Sequence, residues 1–294
     1  MNDFDNKVAI ITGGASGVGR SLAFALGKLG AKIAIGDVDK AAMPLVLEEL
    51  AAEGVTAIAE FCDVTSTDSL EALRQRAVSE LGGIDLVFAN AGIGAGETGN
   101  LWDYAEKDWQ WSLNVNLWGV VNTIRTFMPM LIEQNTAAHF VITGSGNGAL
   151  VVMPDCPVYT ATKAAVQSIT ENLHYQVTAL QSNVKVSALF PGPHVVDTGL
   201  FNSGRVRPEG LQKEGAGEGN ETGINSVDDM KKMAAEFGFE MQVTHPDEVA
   251  AHAIKGLKKD AFWLLETTPQ LDAAIQQRAQ SVLDRVDPTP PALM

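Results

Sequence analysis

Tyr159 and Lys163 stand four residues apart in the run Tyr159-Thr160-Ala161-Thr162-Lys163. On a helix that spacing puts both side chains on one face, a turn apart. A phenol ionises near pH 10, too high for an efficient base at neutrality. An ammonium beside it favours the phenolate and brings proton transfer within reach. Lowering the value by about 2 units takes about 2.7 kcal/mol of differential interaction, a plausible demand on nearby positive charge. Ser145 lies 14 residues before Tyr159, within Thr143-Gly144-Ser145-Gly146-Asn147-Gly148. Its hydroxyl, or that of Thr143, could hold an oxygen at which the phenol exchanges a proton.

A second chemistry is written near the start. The apolar run Val8–Ile11 leads into Thr12-Gly13-Gly14-Ala15-Ser16-Gly17-Val18-Gly19, and a helix is expected to open at about Val18. Glycines allow a tight turn and close backbone approach, and the N–H groups of a helix N-terminus point at an anion such as a pyrophosphate. The glycine spacing is GxxxGxG, carried by Gly13, Gly17 and Gly19. Asp37 follows 18 residues beyond Gly19, at the end of the next apolar run. A carboxylate there accepts hydrogen bonds from both hydroxyls of an adenosine ribose and repels a 2′-phosphate. An aspartate in that place can also simply form the turn after a strand.

These groups need a frame that brings distant segments together. Apolar runs at Val8–Ile11, Lys32–Ile35, Thr56–Phe61, Ile84–Ala89, His139–Thr143, Val184–Phe190 and Phe262–Leu265 read as seven strands. Between them Gly17–Leu29, Lys40–Glu53, Ser66–Leu81, Glu106–Glu133, Val158–Leu180 and Pro246–Lys258 read as helices. That alternation predicts an α/β fold of the Rossmann type, a doubly wound, seven-stranded parallel sheet with helices on both faces. The whole chain, 1–294, reads as one such domain. A glycine-rich insertion at about 198–243 interrupts it, and a helical extension follows at about 267–294, ending in an extended tail over Pro288–Met294. Long loops beyond strand ends serve as lids or binding loops. The helical stretch Val227–Phe237 carries Met230, Met233, Ala234 and Phe237 as an apolar stripe, suited to closing over a substrate or to permanent packing.

Composition narrows the function classes. Hydrophobic residues make up 46% of the 294 and charged residues 19%, enough apolar material for a full core. A net charge of −15 opposes binding to nucleic acid or to an anionic membrane surface. Cys62 and Cys156 show no CxxC spacing, and the five histidines form no ligand pattern, so neither a disulfide nor a metal is expected. The first residues lack a secretory signal and no apolar run approaches a membrane span, which gives an expectation of a cytoplasmic protein.

Taken together, the glycine turn, Asn90-Ala91-Gly92, Asn116, Ser145 and the Tyr159/Lys163 pair resemble the short-chain dehydrogenase/reductase family, over Lys7 to about Glu266. The resemblance implies an oxidoreductase with Asn116, Ser145, Tyr159 and Lys163 as its catalytic group. Asn116 would position a water for a proton relay from Lys163; Asn114 is the competing residue, disfavoured because Gly119 sets the Asn-x-x-Gly spacing. It also implies a cofactor site of Gly13, Ser16, Gly17, Val18, Gly19, Asp37, Asp63, Val64, Asn90, Ala91, Gly92, Tyr159, Lys163, Pro191, Gly192 and Thr198. Asp63 and Val64 would flank the adenine, and Asn90 would brace the sheet as well as the cofactor. Ser16 stands where relatives that prefer the 2′-phosphate carry Arg or Lys, so with Asp37 it points to NAD.

The substrate expectation is a bulky, hydrophobic secondary alcohol or ketone. The pocket is expected from Gly94–Thr98, Asn147–Pro157, His194 and the long loop, with Val151, Val152, Met153 and Pro154 as an apolar wall or as ordinary loop packing. The run Phe201–Leu211 and the C-terminal extension are similar to the branch that oxidises bulky aryl carbinols, and a steroid alcohol suits the same pocket. Two other readings are a reductase of keto-acyl thioesters or small ketones, and a non-catalytic NAD-sensing protein. Family resemblance further implies a homodimer or homotetramer through the two long helices.

Overall fold

The computed structural model describes residues 1, 3–94, 100–212 and 224–291. Its strands are β1 (Val8–Thr12), β2 (Lys32–Asp37), β3 (Ala57–Phe61), β4 (Leu86–Ala89), β5 (Ala138–Thr143), β6 (Val184–Leu189), β7 (Val195–Val196), β8 (Val243–Thr244) and β9 (Trp263–Leu264). Seven form one parallel sheet in the order β3-β2-β1-β4-β5-β6-β9. Parallel strands covered on both faces are apolar throughout, and every residue of β1, β4 and β5 is buried.

The helices are α1 (Gly17–Gly27), α2 (Ala42–Ala52), α3 (Thr67–Leu81), α4 (Glu106–Ser112), α5 (Gly119–Glu133), α6 (Pro157–Ala179), α7 (Val227–Glu236), α8 (Pro246–Leu257) and α9 (Pro269–Asp284). Side chains alternate across a strand, so β1 feeds two cores. Ala9 and Ile11 pack with Leu22 and Leu26 of α1 and Leu257 of α8; Val8 and Ile10 pack with Leu73 of α3, Phe127 of α5 and Val166 of α6. The doubly wound fold expected from the alternation is the one observed. The chain leaves β1 toward β2 and crosses back to β4, so a crevice opens beyond the carboxyl ends of β1 and β4.

Three differences from expectation bear on the site. The predicted helix Glu106–Glu133 is α4, a wide π-helical turn over Leu113–Trp118, and α5. A sequence pattern cannot show that extra residue per turn, and such turns recur at functional sites. Flanking the expected insertion, β7 and β8 form a short parallel pair that joins its two ends. Its intervening described parts are a 3₁₀ segment over Gly199–Val206 kinked at Asn202, a single 3₁₀ turn at Glu209–Leu211, and α7; residues 213–223 lie outside the described residues. Beyond α9 no helix or strand forms over 286–291, and the rest of the expected tail, 292–294, is outside the description.

Candidate active site

Lys163 is held inside the protein at the start of α6. Pro157 occupies the first helical turn, where its missing N–H is harmless. Tyr159 follows in that turn, half-buried, and Lys163 in the next, only 4% exposed. The Lys163 Nζ donates to the Thr143 carbonyl at 2.9 Å and lies 5.8 Å from the Tyr159 ring centroid. Burial pushes the Lys163 ammonium down to about 8, because removal from water disfavours the charged form.

The segment carrying Ser145 is locked against the same helix. Gly148 has φ +92°, and a side chain there would collide with the Thr160 carbonyl. Asn147 Oδ1 accepts from the Met153 N–H and the Thr160 hydroxyl, both at 3.0 Å, tying the loop to α6. Thr143 is committed elsewhere: its carbonyl receives Lys163 and its hydroxyl donates to Asn90 Oδ1 at 3.0 Å. Ser145, one step beyond Gly144, has an extended backbone and is half-buried, and its hydroxyl caps no N–H of the turn that follows.

Asn116 is completely buried by the π-turn. Its Oδ1 accepts from the Ile93 N–H at 2.8 Å, and its Nδ2 donates to the Ile93 carbonyl at 2.9 Å and the Thr162 hydroxyl at 3.3 Å. The side chain is therefore consumed in bracing the chain after β4, and a relay role would fall to its main-chain carbonyl. Asn114 instead lines a polar hollow with Thr65, Asn122 and Arg125.

The crevice is floored by the glycine turn and the end of β4. Asn90 Nδ2 donates to the Thr12 carbonyl at 3.1 Å, and the Ala91 N–H donates to the Thr12 hydroxyl at 3.1 Å, which locks the two strand ends together. Gly92 lies beside Asn116 Oδ1 and Lys163 Nζ. The Gly13 N–H donates to the Gly36 carbonyl at 2.7 Å, Ser16 is exposed at the N-terminus of α1, and Val18 and Gly19 are buried beneath it. Gly17, at φ +50°, lies under Thr198, whose side chain would stand 3.0 Å from any Cβ added there. Pro191 and Gly192 are half-buried between β6 and this Thr198 cover.

Asp37 Oδ2 accepts from the Ala15 N–H at 2.9 Å and Oδ1 from the Asp39 N–H at 3.0 Å. A carboxylate has about four acceptor positions, so two remain for a ribose diol. Asp63 Oδ1 turns inward to cap Thr65 N–H at 2.9 Å, and Val64 is buried against Gly119. The glycine turn, the N-terminus of α1 and the two open acceptor positions of Asp37 have the chemistry that a dinucleotide's pyrophosphate and ribose need.

Several contacts here join residues too far apart for sequence patterns to pair. Arg207 and Asp108 form an ion pair at 2.7 Å with side chains only 4% and 11% exposed. The Arg207 guanidinium also lies 4.9 Å from the Trp111 ring centroid. Ser203 Oγ accepts from the Gly94 N–H at 3.1 Å, and Arg278 of α9 donates to the Ala149 carbonyl at 3.0 Å. Val151 packs on Leu271 and Ala274 of α9, so it serves loop packing, while Val152 is exposed. His194 approaches β8 through its N–H, 3.2 Å from the Thr244 hydroxyl. Of the expected Gly94–Thr98 wall, only Gly94 lies among the described residues.

The fold, the crevice and the Tyr159/Lys163 arrangement define a nucleotide-dependent oxidoreductase of the short-chain kind. The chain belongs to that family: the family model described as short chain dehydrogenase matches residues 7–206. A solved structure of a short chain dehydrogenase/reductase from Burkholderia phymatum in complex with NAD is similar over all of both chains, with 33% identity and a TM-score of 0.88. A CLA biosynthesis dehydrogenase/reductase from Lactiplantibacillus plantarum is 27% identical over 96% of this chain and 95% of its own. A C alpha-dehydrogenase from Sphingobium sp. is 27% identical over 98% of this chain and 89% of its own. No helix among the described residues is long and apolar enough to cross a membrane.

Proposed function

We propose that this protein interconverts a bulky, hydrophobic secondary alcohol and its ketone, with NAD as the hydride partner. The observation that carries the reading is the buried Lys163 ammonium beside the Tyr159 ring, at the crevice shared by the glycine turn and Asp37. Gly13, Ser16, Gly17, Val18 and Gly19 would hold the pyrophosphate, Asp37 the adenosine ribose, and Asp63 and Val64 the adenine edge. Asn90, Ala91, Gly92, Pro191, Gly192 and Thr198 would enclose the ribose and nicotinamide. When bound, the nicotinamide takes up or supplies the hydride.

In the oxidative direction Ser145 holds the alcohol oxygen and the Tyr159 phenolate takes its proton as the carbinol carbon gives up hydride. In reduction the Tyr159 phenol returns that proton to the carbonyl oxygen. Lys163 favours the phenolate by charge and Asn116 shapes the relay behind it. Likeness to a C alpha-dehydrogenase over 98% of this chain supports the dehydrogenase reading. Met233 and Phe237 of the α7 segment lie 42% and 73% exposed, an apolar stripe open to water and suited to closing on a hydrophobic substrate. The α5–α6 groove, lined by Ile124, Met128, Pro129, Ile132 and Leu173, supports self-association into a homodimer or homotetramer.

The test is NADH formation from NAD against aryl carbinols, hydroxysteroids and short aliphatic alcohols. Aryl or steroid alcohols should exceed the aliphatic ones at least tenfold in kcat/KM. Preference for small ketones or keto-acyl thioesters, assayed in reverse, would overturn the substrate assignment.

A further inference from the structure

We propose that Arg205 and Asp39 form a clasp across the cofactor crevice, and that opening it sets the rate at which the dinucleotide leaves. The inference rests on the cofactor reading above but concerns two residues outside the family fingerprint. Segment 198–206 crosses the crevice. At its start Thr198 covers Gly17. Near its end Arg205 Nε lies 3.7 Å from Asp39 Oδ2, at the N-terminus of α2. Asp39 is itself fixed to the nucleotide rim, since its N–H donates to Asp37 Oδ1 at 3.0 Å. A dinucleotide running from Gly17 to Asp37 therefore passes beneath a strap fastened on both sides.

The two fastenings differ in kind. On the inner side the strap is anchored by the buried Arg207–Asp108 pair and by Ser203 against Gly94. Breaking a buried pair leaves an uncompensated charge, so this side serves as the fixed pivot. On the outer side the clasp is the single Arg205–Asp39 pair, with side chains 36% and 25% exposed. Exposed pairs are weak and sensitive to salt. A contact of that strength shifts an opening equilibrium by up to about fivefold, enough to gate release without trapping the cofactor. Arg205 Nη1 also donates to the Asn202 carbonyl at 3.1 Å and the Gly199 carbonyl at 3.4 Å, which fixes the guanidinium against its own turn and leaves Nε toward Asp39.

The competing explanation is that each residue serves only its own element, Arg205 stapling its turn and Asp39 capping α2 through the Ala41 and Ala42 N–H groups. Arg205→Gln keeps a donor for the turn and Asp39→Asn keeps the cap acceptor, while both abolish the charge pair. The experiment is stopped-flow displacement of bound NADH by excess NAD, followed by NADH fluorescence. Each single variant should release NADH about three- to fivefold faster than wild type. The double variant should be no faster than the singles, and about 0.5 M NaCl should narrow the gap between wild type and variants. Release rates unchanged in Arg205→Gln, or effects that multiply in the double variant, would overturn the clasp while leaving the cofactor site intact. Failure of the wild-type protein to bind NADH would instead overturn the cofactor reading and the clasp with it.

Discussion

Replacing Lys163 by methionine should change the pH dependence of stability in one narrow window. The Lys163 ammonium is buried and its value is pushed from 10.5 down to about 8. In the unfolded chain the amine keeps its ordinary value. Between these two values the unfolded state binds more protons, so wild-type stability rises with pH there relative to a variant without the amine. Below about pH 8 the amine is protonated in both states, and above about 10.5 in neither, so the difference is flat outside the window. The rise is worth about 1.4 kcal/mol per pH unit, or roughly 3 kcal/mol across the interval. For a chain of 294 residues that corresponds to roughly 5 °C at the unfolding midpoint. The absolute offset between the two proteins is less informative, since losing the amine also strands the Thr143 carbonyl. The assay is urea denaturation of both cofactor-free proteins at fixed concentration from about pH 6.5 to about pH 10.5, spanning the window in which the two states differ in bound protons. Parallel curves for wild type and Lys163→Met would refute the idea that a buried ammonium is held there against its hydration.

Two further expectations follow from the crevice and its cover. NAD should be preferred to NADP at least tenfold in kcat/KM, about 1.4 kcal/mol, and Asp37→Ala should narrow the gap mainly by weakening NAD, because it also frees the Ala15 N–H; equal use of both cofactors by the wild type would refute the role of Asp37. Amide exchange across α7 should slow at least tenfold when NAD and substrate are both bound, since Met233 and Phe237 of its apolar stripe are exposed without them; strong protection already in the ligand-free protein would reject closure.

What was legible in the sequence were features set by local spacing. The glycine turn, Asp37 at a strand end and the Tyr159/Lys163 pair each lie within one strand-turn-helix unit, so periodicity alone places them. The alternating apolar runs likewise dictate a covered parallel sheet, because the central runs, such as Val8–Ile11 and Ile84–Ala89, are apolar on both faces. Long-range partners were invisible. Arg207 and Asp108 lie 99 residues apart and Arg278 and Ala149 lie 129 apart, and no pattern couples them. The π-turn was missed for a different reason: Glu106–Glu133 keeps helical apolar periodicity, and Pro129 sits within α5 rather than at the break. Only the inward burial of Asn116 shows where the extra residue goes.

The central claim is that Tyr159 exchanges the proton at the reacting oxygen. Its most direct test is single-turnover oxidation of the best alcohol by Tyr159→Phe, beside a measurement of NADH affinity. The variant should lose at least a hundredfold in the chemical step, about 2.7 kcal/mol, while its NADH Kd stays within about twofold of wild type. A variant that keeps more than about a tenth of the wild-type rate, with hydride transfer shown to be limiting by a deuterium isotope effect, would contradict the account.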